Sequence, residues 1–327
     1  MLRGLYRDPR EPRPISRRAF AKWQRAGVYE TTITHPKHFR SYLLEQLGPL
    51  VEEFGAEIEV VRSQQEIPYP YVFERSEDIV KAGVSSADLT RHFPTPDLAA
   101  VGDEIADGVA DLAPAGPYPL ALFDAARVDY SLRRLVHYTG SDWRHMQRWV
   151  LLTNYHRYVD QFTQLAVGHL LKDGAFDKLV LPGNTVIERG MSASEADKRI
   201  HDAPWHRYQM PSYHLIGADG EGVSLVNIGV GPSNAKNITD HIAVLRPHCW
   251  LMVGHCGGLR ESQSIGDYVL AHAYLRQDRI LDALVPPAVP LPALAEIQVA
   301  LQNAASQVTS QRGEALKQRL RTGTVVT

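Results

Sequence analysis

The sequence has little of several features that mark whole classes of protein. Only two cysteines occur among its 327 residues, Cys249 and Cys256, and their spacing fits neither a metal site nor a disulfide framework. No apolar run approaches the roughly 18 residues of a membrane-spanning helix, and the arginine-rich N-terminus lacks the apolar segment of a secretory signal. The formal net charge is only −2, which gives no reason to expect nucleic acid or an anionic membrane as a partner.

The remaining composition is typical of a globular protein with about two domains. Hydrophobic residues make up 44% of the chain and charged residues 22%. Scarce cysteine fits a reducing compartment, so we predict a cytoplasmic protein. The character of the sequence changes at Lys172. We therefore predict a separate α+β domain over residues 1–172 and an α/β domain over residues 173–327.

The stretch from Leu225 to Leu270 predicts the architecture of the second domain. Apolar runs at 223–228 and 249–253 each end in a glycine-rich turn, and a third run follows at 268–273. A helical pattern lies between the first two, with apolar residues at spacings of three and four: Ala235, Ile238, Ile242 and Leu245. This order of elements predicts a mixed, largely parallel sheet flanked by helices, with the ligand site at the carboxyl ends of the strands.

Other patterns predict the remaining elements. In the first domain we expect an extended arm over 1–30, a helix over 36–54, a strand over 56–61 and one long helix over 143–170. Residues 67–73 are typical of an edge strand or extended loop, and residues 97–111 of a solvated helix face. In the second domain we expect a strand at 177–182, a polar loop over 190–210, a hairpin over 213–224, a helix over 293–305 and a strand at 323–327.

The first glycine turn has the pattern Gly229-x-Gly231-x-x-Asn234, which resembles a dinucleotide fingerprint without its third glycine. No acidic residue follows a second strand at the required place, so we favour a simpler interpretation. The turn offers backbone N–H groups and a helix N-terminus, capped by Ser233 or Asn234, to a polar or anionic ligand.

The second glycine turn is Gly254-His255-Cys256-Gly257-Gly258. Its glycines let a ligand approach the backbone closely. His255 either lines the site or is a hydrogen-bonded structural histidine. Cys256 lacks an obvious activating base, which favours a packing role over a nucleophilic one.

Several segments together resemble one family. In the second half they are GVGPSNAKNITDHIAVLRP and WLMVGHCGGLRESQSIGDYVLAHAYLR, which contain both glycine turns and Gly266-Asp267. In the first half they include TTITHPKHFRSYLLEQL, RRLVHYTG and TNYHRYVDQF. These segments resemble the bacterial AMP nucleosidases, which belong to the nucleoside phosphorylase superfamily. The resemblance covers nearly the whole chain from about Gly27.

The resemblance implies hydrolysis of AMP to adenine and ribose 5-phosphate, with no cofactor required and no metal. It implies that His255 orients the attacking water or the ribose and that Gly257 and Gly258 pack under the base. Further substrate contacts fall in the first glycine turn, at Gly229, Gly231 and Asn234.

The resemblance also implies sites for phosphate. Gly183 and Asn184 correspond to a turn that holds inorganic phosphate in related phosphorylases. In a nucleosidase, a water molecule would occupy the position of that phosphate. Three cations are candidates for the 5′-phosphate: Lys236, Arg260 and Arg276.

Assembly and regulation follow from the same resemblance. It implies a homo-oligomer, a hexamer, with a regulatory or assembly-forming N-terminal domain, activation by ATP with Mg and inhibition by phosphate. The family continues beyond the position of Thr327 with the acidic groups that hold the ribose and protonate the purine, so we expect this sequence to be a fragment. Two alternatives stay open: a purine nucleoside phosphorylase, and a non-catalytic fragment that binds a nucleotide or caps an assembly.

These interpretations make one spatial prediction. The turns at 183, 229 and 254–258 should line a single cleft at the carboxyl ends of the strands. Placement of Gly183 and His255 on opposite edges of the sheet would contradict it.

Overall fold

The computed structural model describes residues 1–6, 26–64, 117–172, 174–278 and 285–327, with a few isolated positions between 83 and 106. Its first sheet has the strand order β3-β1-β2-β4. The elements here are β1 (Leu2–Tyr6), β2 (Gly27–Thr31), α1 (Arg40–Phe54), β3 (Glu57–Val60) and β4 (Tyr118–Pro119). The predicted helix and strand at 36–61 are thus confirmed, and Gly55 ends α1 in the left-handed conformation, with φ 60°.

The first residues of the chain do not form the predicted extended arm. Residues 2–6 form β1, which pairs antiparallel with β2 on one side and β3 on the other. Leu2 is buried together with Tyr29 and Leu50, and this burial favours a strand over an exposed arm. The predictions for residues 67–73 and 97–111 lie outside the described residues, apart from two isolated positions.

A six-stranded sheet follows, in the order β10-β5-β9-β8-β6-β7. Its strands are β5 (Trp149–Thr153), β6 (Phe176–Leu181), β7 (Thr185–Glu188), β8 (Ser212–Gly217), β9 (Val223–Asn227) and β10 (Cys249–Val253). Its helices are α2 (Ala125–Thr139), α3 (His156–Lys172), α4 (Ala193–Asp202) and α5 (Pro232–Ala243). The predicted mixed α/β architecture is confirmed, as are the strand at 177–182 and the hairpin at 213–224.

Parallel pairing is concentrated in one half of this sheet. β5 pairs parallel with both β10 and β9, whereas β8 pairs antiparallel with β9 and β6, and β6 pairs antiparallel with β7. Since β8 runs opposite to its two neighbours, β6, β9, β5 and β10 all point the same way. The parallel half is the half that carries both glycine turns.

Helices cover both faces of the sheet because its strands bury side chains alternately on either side. On β9, Val226 belongs to a core with α2 and α5, and Leu225 belongs to the opposite core with α3 and α4. On β5, Val150 and Leu152 face the first core, and Leu151 packs against the second. Two buried layers therefore hold β5 and β9 at the centre of the fold.

Three predictions about this region are wrong. The long helix predicted over 143–170 contains β5, whose residues 150–152 pack alternately against two opposite cores rather than on one helical face. The loop predicted over 190–210 contains α4, which begins where the Ser192 hydroxyl accepts a hydrogen bond from the Glu195 N–H. The domain boundary predicted at 172/173 divides one sheet, because β5 lies before it and the strands paired with β5 lie after it.

The last part of the chain forms a three-stranded sheet in the order β12-β11-β13. Its elements are β11 (Tyr268–Leu275), β12 (Leu291–Pro292), α6 (Ala295–Thr309), α7 (Gly313–Arg319) and β13 (Leu320–Val326). They confirm the strands predicted at 268–273 and 323–327 and the helix predicted at 293–305. In the described part of the chain, no helix is long and apolar enough to cross a membrane.

Gly140 ends α2 with φ 70°, and a Cβ on it would lie 2.3 Å from the ring of Tyr208. We expect Gly140→Ala to lower the free energy of unfolding by about 2–4 kcal/mol, the sum of left-handed strain and ring displacement. Gly190→Ala is the matched control, because Gly190 has φ 92° but open space around it, and it should lose only about 1–2 kcal/mol. Urea unfolding of both variants measures the difference, and equal losses would contradict the steric account.

His214 lies inside β8, where Ser212 Oγ is 2.8 Å from its Nε2 and Ser224 Oγ is 2.8 Å from its Nδ1. Burial, with a smaller contribution from His145, lowers the pKa of the His214 imidazole to about 3. Between pH 6.5 and 3 the unfolded chain therefore binds a proton that the folded chain does not, so stability should fall with falling pH by up to about 1.4 kcal/mol per unit. Urea unfolding at pH 5 to 7 tests this, and titration of the His214 imidazole by NMR above pH 5 would contradict it.

Candidate active site

Three strand ends meet in the parallel half of the six-stranded sheet. β9 ends before Ile228 and Gly229, β5 before Asn154 and Tyr155, and β10 before Gly254 and His255. Since β5 separates its two neighbours, the turns after β9 and β10 lie about 10 Å apart across the sheet. The three turns lie side by side at the carboxyl ends of the strands, which is where the sequence places the chemistry, and we call the space above them the cleft.

The turn after β9 is shaped by glycine and closed by two asparagines. Gly229 and Gly231 have φ of 67° and 106°, values that favour glycine. The Gly229 N–H donates to Asn227 Oδ1 at 3.1 Å, and Asn234 Nδ2 donates to the Val230 carbonyl at 3.2 Å. The structure brings all three predicted residues of this turn to the cleft.

The start of α5 differs from the prediction. Its N-cap is Gly231, and no side chain caps it, so the predicted cap by Ser233 or Asn234 is wrong. Asn234 instead bonds back to the preceding turn. The first backbone N–H groups of α5 consequently have no capping side chain and suit an anionic ligand.

The turn after β10 is irregular and exposed from Gly254 to Arg260. The His255 ring lies against Tyr155, with centroids 4.2 Å apart, and Tyr158 is at 5.5 Å. Gln263 Oε1 accepts from the Arg260 N–H at 3.0 Å and holds the far end of the turn. His255, Gly257, Gly258 and Arg260 thus share one exposed turn, as the sequence predicts.

Cys256 is exposed on this turn, so its predicted role as a packing residue is wrong. Gly257 and Gly258, which follow it, have no side chains that could cover the thiol. Across the described residues, no group of three or more His, Cys, Asp or Glu side chains could hold a metal ion.

Asn154 and Tyr155 were missed by sequence reasoning because they fall within the predicted long helix. Asn154 Oδ1 is buried and has no hydrogen-bond partner, and it lies 3.5 Å from the position of a Cβ on Gly254. The Tyr155 N–H donates to Thr153 Oγ1 at 3.2 Å, which ties this turn to the end of β5. The turn after β5 therefore forms the middle of the cleft.

Gly183 and Asn184 do not join the cleft, which corrects the prediction that all three turns line it. β6 is four strands from β10, so Gly183 lies roughly 19 Å from His255 across the sheet. The Gly183 N–H donates to the Gly140 carbonyl at 2.7 Å, and a Cβ on Gly183 would meet Pro204 at 2.6 Å. Asn184 Oδ1 accepts from the Asp142 N–H at 2.8 Å. Both residues are held by the scaffold near the opposite edge of the sheet.

Two of the three candidate cations are engaged elsewhere. Lys236 Nζ lies 2.5 Å from Asp240 Oδ2 along the surface of α5. Arg276 is 3% exposed at the end of β11, where its Nη2 donates to the Val285 carbonyl at 2.5 Å. Arg260 is the candidate that lies on the same turn as His255.

Two family models match the chain. The model described as "Bacterial AMP nucleoside phosphorylase N-terminus" matches residues 7–117, and the model described as "Phosphorylase superfamily" matches residues 192–327. The chain is 55% identical over 315 residues to proteins named AMP nucleosidase from Escherichia coli strain K12 and from Escherichia coli O157:H7. This match covers 96% of the chain and 64% of each relative, so the chain spans less than two thirds of their length.

Among solved structures, the chain is similar to the crystal structure of AMP nucleosidase from Bacteroides thetaiotaomicron VPI-5482. The identity is 22% and the TM-score 0.44, covering 61% of this chain and 68% of that one. A purine nucleoside phosphorylase from Toxoplasma gondii in complex with immucillin-H matches at 12% identity and a TM-score of 0.39, covering 58% of this chain and 62% of that one.

The unpartnered amide of Asn154 generates a stability prediction. We expect Asn154→Leu to leave the free energy of unfolding unchanged or to raise it by up to about 1 kcal/mol, because no hydrogen bond is lost and a buried polar atom is removed. Asn234→Leu is the matched control, which loses the bond to Val230 and should cost about 0.5–1 kcal/mol. Thermal and urea unfolding measure both, and a larger loss at Asn154 would mean that its amide is already satisfied.

Proposed function

We propose, on the premise that this chain belongs to the family of the bacterial AMP nucleosidases, that its protein hydrolyses AMP to adenine and ribose 5-phosphate. The sequence identity shared with the Escherichia coli relatives over 96% of this chain carries the proposal. The cleft between the two glycine turns supports it, because it stands at the carboxyl ends of parallel strands.

Hydrolysis of an N-glycosidic bond sets clear chemical demands. Positive charge develops on the ribose, and negative charge develops on the departing base. The site must stabilise both and must place a water on the face of the ribose opposite the base. The logic parallels hydrolysis of an O-glycoside, where acid assistance and a positioned nucleophile share the work.

His255 is the residue that we assign to the water or the ribose. It belongs to the turn that starts at the end of β10, and it is exposed with its ring against that of Tyr155. Gly257 has open space where a Cβ would be, so a flat purine can approach the backbone there. The acid that protonates the base is not assigned to a residue of this chain.

The 5′-phosphate is assigned to the uncapped start of α5 and to Arg260. A helix N-terminus presents N–H groups and positive potential to a phosphate, and Gly229 and Gly231 let the ligand come close. Lys236 and Arg276 are less suitable, since one is paired with Asp240 and the other is buried at the end of β11.

A purine nucleoside phosphorylase is the second candidate, and the position of Gly183 disfavours it. A phosphorylase needs inorganic phosphate under the ribose, and the turn expected to bind it lies near the far edge of the sheet with its N–H bonded to Gly140. Release of adenine from AMP in phosphate-free buffer separates hydrolysis from phosphorolysis. An inactive chain that still binds AMP would favour the non-catalytic alternative.

Compartment, assembly and regulation belong to the same proposal. We place the protein in the cytoplasm, in purine nucleotide salvage, as a homo-oligomer of six subunits that needs no cofactor for the reaction and is activated by ATP with Mg. The residues before the six-stranded sheet form the regulatory or assembly unit. Sedimentation and adenine release with and without MgATP test these points.

In the whole protein, His255→Ala should lower kcat by about 100-fold or more and change KM less, because water positioning acts mainly in the transition state. Steady-state adenine release from AMP, corrected for the folded fraction by a melting curve, measures the effect. Cys256→Ala is the control on the same exposed turn and should keep the wild-type kcat. A His255 variant with near wild-type kcat and a lower melting temperature would instead identify a structural histidine.

A further inference from the structure

The turn after β5 stands in the cleft, yet neither family model covers it. The two models match residues 7–117 and 192–327, which leaves β5 and its turn between them. β5 nevertheless pairs with both strands that carry the glycine turns. Its carboxyl end therefore lies between those turns in space, although it precedes them by about 75 and 100 residues in sequence.

The imidazole of His255 is held by rings rather than by hydrogen bonds. In the described part of the chain it makes no hydrogen bond, and the Tyr155 ring lies 4.2 Å away at a tilt of 49°. Tyr158 adds a second ring at 5.5 Å. Glycines at 254, 257 and 258 make the backbone of this turn permissive, so the ring contact with Tyr155 is what limits the orientation of His255.

Tyr155 itself is attached to a rigid element. Its N–H donates to the hydroxyl of the fully buried Thr153, and its carbonyl accepts from the Tyr158 N–H at 3.1 Å. The neighbouring Asn154 amide lies against the Gly254 end of the histidine turn. Tyr155 is thus held in place by β5 and α3, whereas its partner His255 lies on a glycine-rich turn.

We propose that Tyr155 is a positioning residue, whose ring holds the His255 imidazole in the orientation that the water or ribose requires. The inference rests on the proposed function and deepens it by adding the β5 turn as the third wall of the same site. The contribution comes from the aromatic face, since an aromatic pair prefers defined tilted geometries. The phenol hydroxyl plays no part.

The test compares Tyr155→Leu with Tyr155→Phe in the full chain. Loss of the ring should lower kcat for adenine release about 3- to 10-fold, the range expected for one aromatic contact, with KM within about twofold because uniform substrate binding is kept. Tyr155→Phe keeps the ring and should keep the wild-type kcat. Tyr155 is 37% exposed, so neither variant removes a core residue.

Trp149→Leu is the matched control. Trp149 is 39% exposed, and its ring lies 6.0 Å from that of His248, so it forms an equally exposed aromatic–histidine pair at the amino end of β5, away from the carboxyl strand ends that form the cleft. This variant should leave kcat and KM unchanged. If Tyr155→Leu and the control variant lowered kcat by the same factor, the loss would be a general effect of removing a surface aromatic residue, and the proposal would be overturned.

An NMR measurement separates this inference from the proposed function. The ring current of Tyr155 should displace the His255 ring-proton shifts in wild type and in Tyr155→Phe, and the displacement should vanish in Tyr155→Leu. Absence of adenine release by the whole wild-type protein would sink the proposed function. An active wild type whose Tyr155→Leu variant keeps its kcat, or whose Tyr155→Phe variant is as slow as Tyr155→Leu, would sink the positioning role alone.

Discussion

The candidate site depends on one constraint, which is the parallel pairing of β5 on both of its edges. The N–H and C=O groups of Trp149–Thr153 are shared between β10 and β9, and buried backbone groups must be paired. β9 and β10 therefore cannot contact each other, and their glycine turns are held one strand apart. The width of the cleft, and the identity of the residues at its centre, both follow from that pairing.

The antiparallel half of the sheet serves as scaffold, and the parallel half carries the candidate site. In the antiparallel half, two groups that could bind a ligand are already bonded: His214 lies between Ser212 and Ser224, and the Gly183 N–H donates to the Gly140 carbonyl. In the parallel half, polar groups at the strand ends are left open, including the start of α5 and the Asn154 amide. A ligand can form hydrogen bonds only with polar groups that the fold itself has left without a partner.

The parts of this arrangement that are local could be predicted from sequence. The two glycine turns, the strands before them and α5 each carry a local signal. Apolar residues recur at the spacing of a strand or a helix, and glycine or proline marks where the element ends. β5 could not be predicted, because four apolar residues at 149–152, followed closely by a true helix, do not distinguish strand from helix. Gly183 was misplaced for a different reason, since chain order does not reveal that the β8–β9 hairpin lies between β6 and β5. The helix α4 had a usable signal in Ser192 and Glu195, the capping pair of an otherwise polar segment.

The central position of β5 also orders events during synthesis. Trp149 pairs with Val223 and with Cys249, which leave the ribosome roughly 70 and 100 residues later. Until then β5 has two unpaired edges, which template association with other chains. Closure of loops this long is slow compared with hairpin formation, so we expect the β8–β9 hairpin to form before β9 pairs with β5. The cleft consequently cannot form before β10 has been made, because β10 is the last strand of the six-stranded sheet in chain order and leads into the turn that carries His255.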